Sequence, residues 1–389
     1  MKNRINLKDF NSAKDRRKTL EKELGIGLSS ISHSSFTEDQ VKNKNIENLI
    51  GATQIPLGIA GPLKIAGKFA QGSYYLPLAT TEGALVASVS RGCKAVSLGK
   101  NFTVVVEDSG MTRGAVFKVG GLHSAQEFVS WLKANFTFLK KIAEQTSRHL
   151  VLQKIETENL GKSVFVRFVF QTADAMGMNM VTKAVSEIAK TIYQKKKINC
   201  LSLAGNFDID KKPAWLNFIK GRGKKVRAEV TLSSQIVNEV LKTTPSHIQE
   251  VSYHKLFLGS ALSGSLGFNA HYANIIAALF AATGQDLAHI TEGSLGITTT
   301  EITGQDLYLS IYLPNLVIGT VGGGTSLPAQ KDALKILGIP DPKLAEGEQV
   351  LKFAEILAGA VLAGEISLLG ALAANDLVKA HERLGRGKR

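Results

Sequence analysis

The sequence predicts an α+β fold, on three observations. Between Phe102 and Gln194, segments of alternating polarity and segments of helical period take turns, the pattern of a small sheet covered by helices. No G-x-G-x-x-G follows a strand there, so a doubly wound dinucleotide fold is not signalled. Outside this module, Tyr272 to Thr283 and Gly347 to His381 are Ala-rich and Leu-rich, with apolar residues at helical spacing. At 389 residues the chain is long enough for a large core and two or three domains.

In chain order, residues 1–45 read as a charged amphipathic helix and a Ser-rich loop, Ser29 to Ser35. Glu47 to Pro62 places Pro and Gly every few residues between apolar ones, which predicts short strands and turns. Leu78 to Ser97 reads as a helix capped by Thr80-Thr81 with Glu82 in its first turn. Leu85, Val89, Cys93 and Val96 share its buried face, and Arg91 and Lys94 lie on another. Phe102 to Val106 and Gly114 to Val119 read as strands joined by a turn at Asp108-Ser109-Gly110. A helix from Gln126, a strand over Ser163 to Gln171 and a helix over Met178 to Gln194 complete the α+β module. Asp208 to Lys212 is a charged loop stopped by Pro213, before a short helix at Trp215 to Ile219 and a strand at Val226 to Leu232. The helix of Tyr272 to Thr283 ends at Gly284 and leaves Asp286 at its C-terminal side, where an acid opposes the helix dipole and asks for a paired cation. The glycine run Gly319 to Thr325 exposes backbone N–H groups to which a phosphate or a flat ring can come close.

Lys and Arg total 47 against 33 acidic residues, a net charge of +14 that suits anionic partners. Aromatic residues are 7% and the basic residues are spread out, except at Lys195 to Lys197 and Arg383 to Arg389, so no nucleic-acid surface is indicated. Only Cys93 and Cys200 are present, which excludes a disulfide framework or a zinc site; no metal is expected, and a reducing cytoplasm is the simple reading. The first residues lack a signal-peptide core, and Leu256 to Gln285, though free of charge, clusters Asn269, His271 and Asn274 as an interior site does, so no membrane span is expected.

Eleven stretches, in order and at matching spacing from Glu47 to about Leu384, resemble the 3-hydroxy-3-methylglutaryl-CoA reductase family. They are ENLIG, ATTEGALVASVSRGCKA, GMTRG, DAMGMNM, GN-x-x-x-DKKPA, GRGK, NAHYAN, GQD, IGTVGGGT, AGEISLLGALAA and LVKAH. ATTEG and DAMGMN are similar to the class I members, here without a membrane domain. The resemblance implies an N-terminal helical segment (1–46) and a large, mainly helical substrate-binding domain (47–113 and 204–389, with a C-terminal tail). It also implies an inserted small ferredoxin-like NADP-binding domain (114–203). It implies a homodimer or homotetramer with active sites between subunits, and NADPH-dependent four-electron reduction of (S)-3-hydroxy-3-methylglutaryl-CoA to mevalonate with release of CoA.

Roles follow from the same match. Lys211 would stabilise the oxygen that becomes negative, Glu82 would give it a proton, Asp286 would couple to both, and His381 would protonate the CoA thiolate. Ser147 and Arg148 match the contact to the NADPH 2′-phosphate; Asp174, Met176, Met178 and Asn179 match the nicotinamide side; Gly322, Gly323 and Thr325 would pass under the cofactor. Arg113, Asp210, Lys212, Lys242, His271 and Asn274 match the grip on the hydroxymethylglutaryl group, and Ser88 and Arg91 match CoA contacts. Ala204 stands where animal members have Ser, and Asp208 replaces Cys, bringing a further negative charge to the Lys211 loop. The alternative reading is a CoA-binding or nucleotide-binding homologue with impaired turnover.

Overall fold

The computed structural model describes residues 9–42 and 44–374. A β-hairpin, β1 (Leu57–Ala66) and β2 (Gln71–Ala79), precedes helix α2 (Leu85–Leu98); an earlier helix, α1 (Ala13–Leu24), is capped by Ser12. The main sheet has seven antiparallel strands: β3 (Lys100–Lys118), β4 (Val151–Leu160), β5 (Ser163–Gln171), β6 (Asn199–Ser202), β7 (Gly223–Leu232), β8 (Ile297–Thr303) and β9 (Asp306–Leu316). Their order is β4-β5-β3-β7-β9-β8, with β6 also on β3. The expected turn at Asp108 to Gly110 is instead a bulge inside one 19-residue strand, with a register shift between Asp108 and Gly110. A bulge re-aims a strand without ending its pairing. Before it β3 pairs with β7; after it, with β5 and β6.

That change of partner gives the chain two cores on one beam. Beyond the bulge, Phe117, Phe128, Phe168 and Phe170 are buried with the apolar faces of α3 (Leu122–Ala134), α4 (Phe136–Glu144) and α5 (Met178–Lys196). Before it, β7 and β9 pack with the hairpin, α2, α6 (Tyr272–Thr283) and α7 (Gln349–Ala373) into a larger core. Burial of each large aliphatic side chain there stabilises the fold by about 1.5–3 kcal/mol.

Helix α7 is long and apolar enough to cross a membrane, but most of it is buried as the axis of the larger core. Its two buried glutamates are loop anchors. Glu355 accepts from the N–H groups of Lys68, Phe69 and Ala70 at 3.1, 2.9 and 2.7 Å. Glu365 accepts from Ala270 N, His271 N and Thr298 Oγ1 at 2.8, 2.7 and 2.7 Å. Helix α2 crosses α7 so closely that a Cβ on Gly92 would stand 1.8 Å from the Ala363 carbonyl oxygen.

Candidate active site

Lys211 sits in a strained loop. Asn206, Ile209 and Lys211 all have positive φ (63°, 49° and 58°), which costs a residue with a Cβ about 1–2 kcal/mol each. The loop is held from below: Asn217 Nδ2 donates to the Asp208 and Ile209 carbonyls at 3.0 and 3.3 Å, and the Lys211 N–H donates to Glu292 Oε1 at 3.3 Å. Lys211 Nζ then meets Asp286 Oδ2 at 2.7 Å, the cation that the position of Asp286 demanded. Asp286 also has a local reason for its place: it caps the turn Leu287–His289, with Oδ1 accepting from Ala288 N at 3.0 Å. Burial pushes its carboxyl up, but the Lys211 hydrogen bond, the Ala288 N–H and the nearby His289 outweigh this and hold it below the ordinary range.

Beneath this pair lies a buried charged network that the sequence reading did not single out. Arg222, fully buried, donates Nη1 to Glu292 Oε1 at 2.8 Å, Nη2 to Asp210 Oδ1 at 2.9 Å and Nε to Thr112 Oγ1 at 3.0 Å. His289 Nδ1 lies 2.5 Å from Glu292 Oε1. Asp208, on the Lys211 loop, is buried and pairs with Arg113 at 3.4 Å, with its carboxyl pushed up by burial against the pull of Arg222 and Arg113. Lys212 Nζ is turned to Asn206 Oδ1 at 3.1 Å.

Three loops meet where the chain leaves α6 for Asp286. Ala175 bridges Val321 in parallel, and Gln285 clamps Gly319 by accepting from its N–H at 2.9 Å and donating to its carbonyl at 3.0 Å. Gly284 and Gly324 touch backbone to backbone: a Cβ on either would stand 2.3 or 2.5 Å from the other's carbonyl oxygen. Gly322 and Gly323, by contrast, have positive φ and open space where a Cβ would be. Gly322 borders a cleft of about 330 Å³ with Thr320, Val321 and Thr325. Arg113 Nη1 reaches Met178 Sδ at 3.5 Å, and Met176 is part-buried nearby, while Asn179 is exposed. Both Asp174 carboxylate oxygens are used structurally, accepting from Gly347 N at 2.8 Å and Val350 N at 3.0 Å at the start of α7. Ser147 Oγ accepts from His149 N at 3.2 Å, and Arg148, exposed, donates Nε to His149 Nε2 at 3.1 Å.

Glu82 lies elsewhere. It is not in the first turn of α2, because Gly83 and Ala84 form a turn, Ala84 takes φ 71° and the helix begins at Leu85. Thr80 caps only the Glu82 N–H, at 3.0 Å. The exposed Glu82 carboxylate accepts from Asn274 Nδ2 at 3.2 Å, at the start of α6. His271, whose Nε2 donates to the Gly364 carbonyl at 2.8 Å, presents Nδ1 to the same amide at 3.4 Å. Asp286 lies past the other end of α6, so about 15 Å of helix stands between the two acids. Within one chain Asp286 meets Lys211, and Glu82 lies at the far end of α6. Ser88 and Arg91 lie with the Glu82 group, both bound to Ser367 Oγ at 3.0 Å. Lys242, exposed with φ 60°, follows Leu241, which packs on Gly370 of α7. His381 lies outside the described residues.

The family model described as hydroxymethylglutaryl-coenzyme A reductase matches residues 12–386. Among similar proteins, the 3-hydroxy-3-methylglutaryl-coenzyme A reductase of Methanocaldococcus jannaschii is 52% identical over 377 residues, covering 95% of this chain and 92% of the relative. That of Pyrococcus abyssi is 50% identical over 374 residues, with 95% and 92% covered. In fold, the chain is similar to a class II reductase from Streptococcus pneumoniae solved with NADPH, at a TM-score of 0.68 and 17% identity over 94% of this chain and 98% of that one. The matched motifs, the shared fold and identity along nearly the whole length agree, and the chain belongs to the hydroxymethylglutaryl-coenzyme A reductase family.

Proposed function

We propose that this chain catalyses the NADPH-dependent reduction of 3-hydroxy-3-methylglutaryl-CoA to mevalonate and CoA, using two NADPH and two protons per turnover. The observation that carries this reading is the 2.7 Å Lys211–Asp286 pair on a strained loop beside an open glycine cradle. The cradle fits a dinucleotide: Gly322 and Gly323 leave open the space that side chains would fill, and Thr325 Oγ1 is turned back to the Gly322 carbonyl at 2.7 Å. Gly322, Gly323 and Thr325 would hold the cofactor with Met176, Met178 and Asn179, and Arg148 would meet the 2′-phosphate. When bound, the cofactor supplies hydride.

The chain's own residues then do the following. Lys211 presents its ammonium to the thioester oxygen as charge builds there, a stabilisation that is strong because the strained loop and Asp286 fix the lysine in advance. Arg222 and Lys212 hold Asp210 and the 206–213 loop in register for the acyl carboxylate. Glu82 gives the proton to the oxygen, and Asn274 and His271 orient Glu82 and the acyl hydroxyl. His381 would protonate the departing thiolate. The length of α6 supports a site completed by a second copy, with Glu82 of one subunit facing Lys211 of the other. The change of β3 partners at its bulge supports a cofactor domain of about residues 114–203 set into a substrate domain of 47–113 and 204–389. The ATTEG and DAMGMN motifs favour the class I grouping.

The test is direct. Purified protein given the acyl-CoA should consume NADPH absorbance and form mevalonate identified by mass. A folded oligomer that consumes none overturns the reading. NADH serving as well as NADPH removes the role given to Arg148.

A further inference from the structure

We infer that His289, gripped by Glu292, is a positioning residue for the Lys211–Asp286 pair, with its second imidazole nitrogen aimed at the same Asp286 oxygen that Lys211 binds. The inference rests on the reductase reading above. His289 is fully buried, and among the described residues its Nε2 has no hydrogen-bond partner. Nδ1 lies 2.5 Å from Glu292 Oε1, which fixes the ring, and Nε2 lies 3.8 Å from Asp286 Oδ2. Asp286 Oδ1 is meanwhile pinned by the Ala288 N–H at 3.0 Å, so Oδ2 is presented between the ammonium and the imidazole. A movement of under about 1 Å brings Nε2 within hydrogen-bond range.

The surrounding charges suit this work. Lys211 and Asp210 face the group from the 206–213 loop, Arg222 from the edge of β7 and Glu292 from the helical turn Ile290–Gly293; Asp208 and Arg113 lie behind Arg222. Asp210, His289 and Glu292 offer ligand atoms within 4.8 Å of one another, as a metal site would, but the Arg222 guanidinium already bridges both carboxylates. When Lys211 turns its ammonium to the substrate oxygen, Asp286 loses a partner. A protonated Nε2 then takes up the freed oxygen, keeps Asp286 in place and returns it to Lys211 for the second hydride step. An unprotonated Nε2 points its lone pair at the carboxylate and cannot do so.

His289→Gln keeps a donor but removes the imidazole. It should lower kcat with little change in KM for either substrate and should move the acid limb of the kcat profile to higher pH. The sign follows from Asp286: His289 helps hold that carboxyl low, so its loss lets the carboxyl rise. The second readout needs no turnover. The Asp286 carboxyl carbon, followed by NMR in the free enzyme and assigned with Asp286→Asn, should titrate at higher pH in His289→Gln than in wild type. His289→Asn replaces His289→Gln if the latter does not fold. Equal loss of activity at all pH with an unmoved carbon signal overturns the inference and leaves a packing histidine. A wild-type protein without turnover overturns the reductase reading instead, and the carbon titration still decides whether His289 holds Asp286.

Discussion

The two ends of α6 are built on opposite plans. At its C-terminal end, Lys211 and Asp286 stand on a fully buried Arg222–Glu292–His289 network and on a backbone with three left-handed non-glycine residues. At its N-terminal end, Glu82 is exposed and held by one amide hydrogen bond at 3.2 Å. The difference matches the two jobs proposed. Stabilising a developing negative charge demands groups fixed before the reaction, because reorganising them costs energy in the transition state. Delivering a proton demands only reach and a suitable acidity.

The largest effect should come from breaking the rigid end. Lys211→Ala should lower kcat about 100- to 1,000-fold with a small change in the KM for NADPH; undiminished turnover would remove Lys211 from the chemistry. Removing one carboxylate from each end sharpens the contrast. Glu292→Gln leaves the Arg222 guanidinium buried and short of a charge, and should cost about 3–5 kcal/mol of stability in denaturant melts. Glu82→Gln should leave stability unchanged while lowering kcat at least about 100-fold. Equal stability loss in both variants contradicts the contrast.

A smaller effect concerns acid. Glu156 supports the rigid end from the β4 edge of the same sheet through buried Arg167, which donates to the Gly221 carbonyl at 3.1 Å. Burial acts to raise its carboxyl, but Arg167, Lys154 and Lys220 together take it down to about 2. A depressed carboxyl stabilises the fold above its ordinary value of 4.5 and loses that contribution as pH falls toward about 2. Wild-type stability should therefore fall between about pH 5 and 2, and Glu156→Gln, which lacks the charge already, should fall less. Parallel curves sink this role.

Much of this architecture was legible in the residues. Ser163 to Gln171, read as a strand, is the strand β5, and Gly284 stops α6 where its left-handed φ of 72° favours glycine. Strand β4 was missed because it lies at the sheet edge, where exposed Gln153, Lys154 and Glu158 give it the polarity of a loop. Glu82 was found as a residue but placed in the wrong setting, since Thr80-Thr81 imitates a cap and the Gly83-Ala84 turn that delays the helix has no strong signature. The Arg222–Glu292–His289 network was illegible. Its members are up to 70 positions apart, and buried charge pairing leaves no periodic trace in a sequence. Arg222 did lie within the GRGK motif, the only signal that pointed to it.

The central claim is that each chain carries two half-sites, one at each end of α6, and that turnover needs the ends of two chains. Co-refolding equal amounts of Lys211→Ala and Glu82→Gln chains tests it most directly. If Glu82 of one subunit serves Lys211 of another, random pairing places one intact site in half of the dimers and restores about a quarter of wild-type activity, although each variant alone is nearly inactive. If both groups act within a single chain, the mixture stays as inactive as its parts, and the account is contradicted.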